Sequence, residues 1–214
     1  MKAQDKISVL LVDDHPVVRE GYRLLLEKTS DIQIVGEAEC GEKAYSLYEK
    51  ASPDVVLLDL NMPGMGGLET IRRLLIKDPK ARILVFSMHD SQIILQRALE
   101  AGATGYLTKS SASSQMVKAV RQVAQGKAYL NHNLIPKAVE SFSDNSNPLH
   151  KLTQREFEIF RNLADGRSVA EIANTLSISP KTAGVHQTNI MKKLNMRNVA
   201  ELARLAVRCD VIIP

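Results

Sequence analysis

Between Ile7 and Gln125, short apolar runs alternate five times with longer amphipathic stretches, an order that few folds accommodate. Ile7–Val12 (ISVLLV), Ile32–Glu39 (IQIVGEAE), Asp54–Leu60 (DVVLLDL), Ala81–Ser87 (ARILVFS) and Thr104–Thr108 read as strands. The third and fourth are almost continuously apolar, the mark of strands covered on both faces. His15–Thr29, Gly41–Ala51, Gly66–Lys77, Ser91–Glu100 and Ser113–Gln125 read as helices; in the first, Val17, Val18, Tyr22, Leu25 and Leu26 fall at helical spacing. Such alternation predicts a parallel sheet with helices on both faces and right-handed crossovers.

Five strands in this length fit an α/β flavodoxin-like, doubly wound domain with strand order 2-1-3-4-5, whose working site lies at the carboxyl ends of the strands. Asp13 and Asp14 follow the first strand, Asp59 and Asn61 come at the end of the third, Ser87 ends the fourth and Lys109 follows the fifth. In a parallel sheet these ends point one way, so residues spread widely along the chain converge. Three crowded carboxylates repel and cost desolvation energy. A hard divalent cation such as Mg²⁺ would relieve that, since it takes oxygen ligands and keeps several waters. A site of this kind is set up to carry a phosphoryl group on one carboxylate, with a lysine and a hydroxyl against its oxygens. Asp59, at the end of the central strand, is the natural nucleophile.

Asp13-Asp14, Asp59, Ser87 and Lys109, with the string DLNMPGMGGLE at Asp59–Glu69, resemble the receiver domain of two-component response regulators. The resemblance covers Ile7 to about Gln125. It implies that Asp59 is the phosphoacceptor and that Asp14, Asp59 and the backbone carbonyl of Asn61 bind Mg²⁺, with Asp13 acting mainly through water. It also implies that Lys109 pairs with phosphoryl oxygens, that Ser87 shifts to contact the phosphoryl group, and that Tyr106 reorients with it. One residue departs from the pattern. Many receivers carry proline after the lysine, in a cis peptide, where this chain has Ser110. A cis bond there would cost roughly 2.5–4 kcal/mol, so the loop is either strained or trans.

Beyond residue 127 the pattern changes. Residues 1–127 are assigned to the receiver, 128–148 to a linker rich in Ser, Asn and Asp at Ser141–Pro148, and 149–214 to a helical domain. The last stretch has no strand pattern and reads as four helices, Gln154–Asp165, Val169–Leu176, Lys181–Leu194 and Asn198–Arg208. Thr153 and Glu156 form a capping-box signature. Gly166 stops the first helix, and Pro180 suits the first turn of the third. Two short helices joined by a tight turn at Ser177–Ser179 make a helix-turn-helix, whose second helix normally enters the major groove of double-stranded DNA.

LTQRE, the EIA of Glu171–Ala173, and SPKT followed by VH resemble the LuxR-type helix-turn-helix, so the whole chain is similar to a NarL/FixJ-type response regulator. By this resemblance the recognition helix is Lys181–Leu194. Base contacts fall near Gly184, Val185 and Thr188, phosphate contacts come from Thr182, Asn189, Lys192 and Lys193, and Lys181 joins the DNA-binding set on the cationic face. The last helix carries a dimer contact. Family members often have lysine where this chain has Gly184, which places more of the reading on Val185, on Thr188 and on close approach of the backbone.

The chain has 28 Lys+Arg against 24 Asp+Glu. The excess sits in residues 149–214, where 10 basic residues face 6 acidic ones. That bias supports nucleic acid only because a binding motif lies beneath it. No apolar run approaches the roughly 20 residues that span a bilayer, and Cys40 and Cys209 suggest neither a disulfide framework nor a zinc site. The expected protein is cytoplasmic and does not contact membranes. It is charged at Asp59 by a sensor histidine kinase, forms a homodimer when phosphorylated and binds DNA, with RNA polymerase a further candidate partner. It is not an enzyme beyond its own phosphotransfer. Two other readings use the same residues: a constitutive DNA-binding dimer, or a hydrolase with an aspartyl-phosphate intermediate, which would need a substrate-capping insertion this chain lacks.

Overall fold

The computed structural model describes residues 6–88, 91–111, 113–131, 134 and 147–212. They divide into two compact units.

The first is an α/β unit. Its elements are β1 (Ile7–Val12), α1 (Pro16–Glu27), β2 (Ile32–Ala38), α2 (Gly41–Ala51), β3 (Val55–Leu58), α3 (Gly67–Lys77), β4 (Ile83–Ser87), α4 (Gln92–Glu100), β5 (Gly105–Thr108), α5 (Ser113–Ala124) and β6 (Tyr129–Leu130). The sheet has the order β2-β1-β3-β4-β5-β6 and every pairing is parallel. This is the expected doubly wound order with one strand more. The two-residue β6 pairs with Gly105 and Tyr106 of β5. It falls in a stretch the sequence assigned to the linker, and its pairing lengthens the sheet by one edge strand. The polar segment at 141–146 lies outside the described residues.

Alternation along the strands builds two cores. Val9, Leu11, Val55, Leu57, Leu84, Phe86 and Leu107 pack with Leu26 of α1 and with Met116, Ala119, Val120 and Val123 of α5. The intervening Leu10, Val12, Val56 and Leu58 are equally buried, so both faces are covered. This is why β3 and β4 read as unbroken apolar runs. The hydrogen-bond ladder continues one residue past the strands. Asp13 N–H donates to Ala38 O, Asp59 N–H to Val12 O and Lys109 N–H to Ser87 O at 3.1, 2.9 and 2.8 Å. The first residues after β1, β3 and β5 are thereby locked at one edge.

The second unit has a short 3₁₀ turn (Pro148–Lys151), then α6 (Gln154–Ala164), α7 (Val169–Thr175), α8 (Pro180–Leu194) and α9 (Val199–Arg208). Observed ends differ from the expected ones by a residue, because caps lie just outside the helices. Thr153 and Ser168 each form a complete capping box, with Glu156 and Glu171. Ser179 caps α8 ahead of Pro180. Phe157, Phe160, Ile172, Ala183 and Ile190 are fully buried in this unit.

Candidate functional site

Asp13, Asp14, Asp59 and Lys109 come together at the carboxyl edge of the sheet. Lys109 Nζ donates to Asp13 Oδ2 at 2.7 Å and to Asp59 Oδ2 at 2.8 Å. All three side chains are buried; the lysine side chain is 8% exposed and each aspartate 3%. Backbone N–H groups take the other oxygens: His15 donates to Asp13 Oδ1 at 2.8 Å and Asn61 to Asp59 Oδ1 at 3.2 Å. Arg19 of α1 donates to the Asp13 carbonyl at 2.6 Å and pairs with Glu37 of β2 at 3.1 Å, bracing the end of β1.

The pocket holds more negative charge than one ammonium neutralises. Burial disfavours the charged Lys109, yet the charge of Asp59 and the hydrogen bonds to Asp13 and Asp59 outweigh it and raise the ammonium above its ordinary value. Burial pushes the Asp14 carboxyl up; His15 opposes this, while Asp13 and Asp59 add to it. Asp14 Oδ1 lies 2.8 Å from His15 Nδ1 but in a geometry that forms no hydrogen bond, which leaves a buried carboxylate oxygen without a directional partner. Ligand atoms of Asp13, Asp14, His15 and Asp59 all lie within 4.8 Å of one another. This oxygen-rich set, short of positive charge, fits a hard divalent cation. His15 is the member that sequence reasoning missed. Its signal was its place directly after the acidic pair.

The flanking expectations resolve individually. Ser87 and Tyr106 are fully buried, on β4 and β5. Asn61 is half-buried in the loop after β3. That loop is shaped by glycine: Gly64 and Gly66 have φ of 79° and 74°, and a Cβ on Gly67 would meet Leu60 Cα at 2.5 Å and Asp59 O at 2.6 Å. Among the described residues no peptide is cis, so the Lys109–Ser110 bond is trans.

On α8, Ala183, Ile190 and Leu194 face inward. Lys181, Thr182, Val185, Thr188, Asn189, Lys192 and Lys193 are exposed, and Gly184 is half-exposed with open space where a side chain would begin. The expected contacts therefore share one accessible surface. Three have internal partners. Thr182 Oγ1 lies 2.8 Å from Ser179 Oγ, Thr188 Oγ1 donates to the Gly184 carbonyl at 3.0 Å, and Lys193 Nζ donates to the buried Glu156 Oε2 at 2.6 Å. Val185 is 54% exposed, an apolar side chain on a polar face. No helix among the described residues is long and apolar enough to cross a membrane.

Comparison with known proteins agrees with both halves. The response regulator receiver domain matches residues 9–121, and the bacterial regulatory proteins of the luxR family match residues 150–206. The response regulator GacA of Pseudomonas aeruginosa is 38% identical over 209 residues, covering 96% of this chain and 98% of its own. The nitrate/nitrite response regulator NarL of Escherichia coli is 38% identical over 207 residues, covering 95% and 96%. Among solved structures, RcsB of Salmonella enterica serovar Typhimurium, bound to a promoter in the presence of the phosphomimetic BeF3⁻, is similar at 27% identity. Its TM-score is 0.71, over 94% of this chain and 98% of its own.

Proposed function

Because the chain belongs to the NarL/FixJ-type DNA-binding response regulators of two-component systems, we propose that its switch is phosphorylation of Asp59 by a sensor histidine kinase in the cytoplasm. An Asp59 carboxylate oxygen attacks the phosphorus of phosphohistidine. A phosphorus–oxygen bond forms, the phosphorus–nitrogen bond breaks, and the imidazole leaves with the bonding pair. The observation that carries this reading is the bridging of Asp13 and Asp59 by Lys109 at 2.7 and 2.8 Å. It holds the nucleophile while keeping a cation beside the oxygens that gain charge. Asp14, Asp59 and the carbonyl of Asn61 would hold Mg²⁺, with Asp13 acting through water. When bound, that ion neutralises phosphoryl oxygens and relieves the crowding of carboxylates.

Phosphorylation adds about −1.5 to −2 charges for hydroxyl esters, and an acyl phosphate is comparable. Ser87 and Tyr106, buried on adjacent strands, answer the new oxygens, the first by a hydrogen bond and the second by repacking. Dimerisation, with a contact through α9, then places two α8 helices on successive major grooves. Gly184, Val185 and Thr188 face bases; Thr182, Asn189, Lys192 and Lys193 face phosphates, Lys193 while its part-exposed ammonium also holds Glu156, and Lys181 adds positive charge to the same face. Residues 1–127 serve as receiver, 149–214 as DNA-binding domain and the stretch between as their connection. RNA polymerase is the partner through which bound DNA would be read.

The test compares wild type with Asp59→Ala, each given Mg²⁺ with acetyl phosphate or beryllofluoride. Wild type should gain one labile phosphoryl group, dimerise and bind DNA more tightly at fixed salt, and the variant should do none of these. Equal DNA binding by both, with or without the donor, would remove the switch and leave a constitutive DNA-binding protein.

A further inference from the structure

The loop that carries Lys109 continues with Ser110 through a trans peptide, and hydroxyl hydrogen bonds hold it. Thr108 closes a turn over Lys109 and Ser110 by accepting the Ser111 N–H at 3.0 Å. The Thr108 hydroxyl lies 3.0 Å from both Ser110 Oγ and Ser111 Oγ. Asn131, the residue after β6, donates from Nδ2 to Ser111 Oγ at 2.9 Å. Because Ser111 accepts from Asn131, its own proton is free to donate to Thr108, whose proton can pass on to Ser110. Run in that sense, the three hydroxyls and the Asn131 amide make one connected hydrogen-bond chain. Thr108 and Asn131 are buried, where a broken hydrogen bond is expensive. Asn131 is itself tied to the sheet by its N–H to the Tyr106 carbonyl at 3.4 Å.

We propose that Asn131, acting through Ser111 and Thr108, is a positioning residue for phosphotransfer: it holds the trans Lys109–Ser110 turn so that the Lys109 ammonium stays on Asp59 and Asp13. The sixth strand thereby becomes part of the phosphorylation site, although it lies outside the five βα units. The backbone of the turn joins that chain to Lys109, whose ammonium holds Asp59, and so to Asn131 just after the last strand. Movement of Lys109 toward a phosphoryl group pulls on Ser111 and Asn131. The proposal rests on Asp59 being the phosphoacceptor.

The test uses the full chain with Ser111→Ala, Asn131→Ala, the double variant, and Ser111→Thr, which keeps the hydroxyl. The rate of acetyl-phosphate-dependent phosphorylation is measured against donor concentration, with unfolding temperature alongside. A misplacement of about 1 Å can cost as much as a hundredfold in rate; here the maximal rate should fall about tenfold in either alanine variant while the half-saturating donor concentration holds. The double variant should be no slower than the single ones, because both act through one chain, and Ser111→Thr should restore the rate. In wild type, beryllofluoride should shift the Asn131 side-chain amide resonances, and Ser111→Ala should suppress that shift. Full wild-type rates in the alanine variants, additive losses, or failure of Ser111→Thr to restore the rate in a folded protein would each overturn the proposal. Ser111→Ala carries the test even where Asn131→Ala does not fold. Absence of any phosphorylation in wild type would count against Asp59 itself, which distinguishes the two failures.

Discussion

The receiver pocket and the helix-turn-helix each contain a lysine paired with a buried carboxylate, and the two pairs are built to different ends. Lys109 is one cation among the carboxylates of Asp13, Asp14 and Asp59, and the set stays short of positive charge. Lys193 meets the single carboxylate of Glu156, which also accepts the Thr153 N–H of the capping box at 2.7 Å. That second arrangement is complete within the fold. The first is complete only when something further arrives. A functional site shows itself here as a buried group of charges that the chain does not balance by itself, and a structural pair as one that it does.

Removing Lys109 should break this comparison most forcefully. Deleting one partner of a buried pair costs about 3–5 kcal/mol because the remaining charge is left uncompensated. Lys109→Ala should therefore lower the unfolding temperature sharply in a metal-free buffer. Millimolar Mg²⁺ should return much of that loss and stabilise the variant more than it stabilises wild type. Calorimetry with and without the ion measures this. Equal stabilisation of both proteins would mean that lysine and metal do not answer the same charge.

Gly67 tests the backbone that carries the acceptor. Its missing Cβ would stand 2.6 Å from the Asp59 carbonyl oxygen and 2.5 Å from Leu60 Cα. Backbone cannot yield as a flexible side chain does, so Gly67→Ala should cost about 1–3 kcal/mol and slow phosphorylation out of proportion to that loss. A folded variant that is phosphorylated at the wild-type rate would show that the loop adjusts without moving Asp59.

The complete pair should respond to acid. Burial alone would raise the Glu156 carboxyl, but hydrogen bonds from Lys193 and from the Thr153 backbone and hydroxyl hold it below the ordinary value of 4.5. A carboxyl depressed in the folded state contributes stability above its unfolded value, and that stability fades as pH falls through the lower, folded one. Protection of α6 amides from hydrogen exchange in the full chain should therefore weaken below about pH 4.5. In Glu156→Gln, whose amide oxygen can still accept the Thr153 N–H, the protection should be lower at neutral pH by about 0.5–1 kcal/mol, the scale of a partly exposed ion pair, and flatter toward acid. An unchanged acid profile would mean that Lys193 and Thr153 do not hold the carboxyl down.

These pairs also mark where sequence reasoning reached and where it stopped. Asp13, Asp14, Asp59 and Lys109 could be assembled on paper because each follows a strand, and a parallel sheet brings such positions to one edge. The contact residues of α8 came from the resemblance to LuxR-type helices, and the fold leaves Lys181, Thr182, Val185, Thr188, Asn189, Lys192 and Lys193 exposed. The pairing of Glu156 with Lys193 was not legible, since they stand 37 positions apart and nothing local connects them. His15 was hidden because a histidine after two acids has no pattern of its own. Strand β6 was hidden because two residues cannot show alternation, and its tie to Ser111 depends on a side chain packed beside a different turn.

Gly184 makes the smallest and most discriminating test, because it separates stability from recognition on the same helix. A glycine in a helix interior costs about 0.5–1 kcal/mol relative to alanine, and nothing lies within 4 Å of where its Cβ would stand. Gly184→Ala should therefore raise stability by about that amount, read from thermal unfolding. The added methyl group projects from the face that also carries Val185 and Thr188, so DNA affinity should fall even as the helix strengthens. A variant that is both more stable and equally tight on DNA would place base reading on the side chains of Val185 and Thr188 without close backbone approach. A lysine could then be added at position 184 to change specificity without crowding the groove.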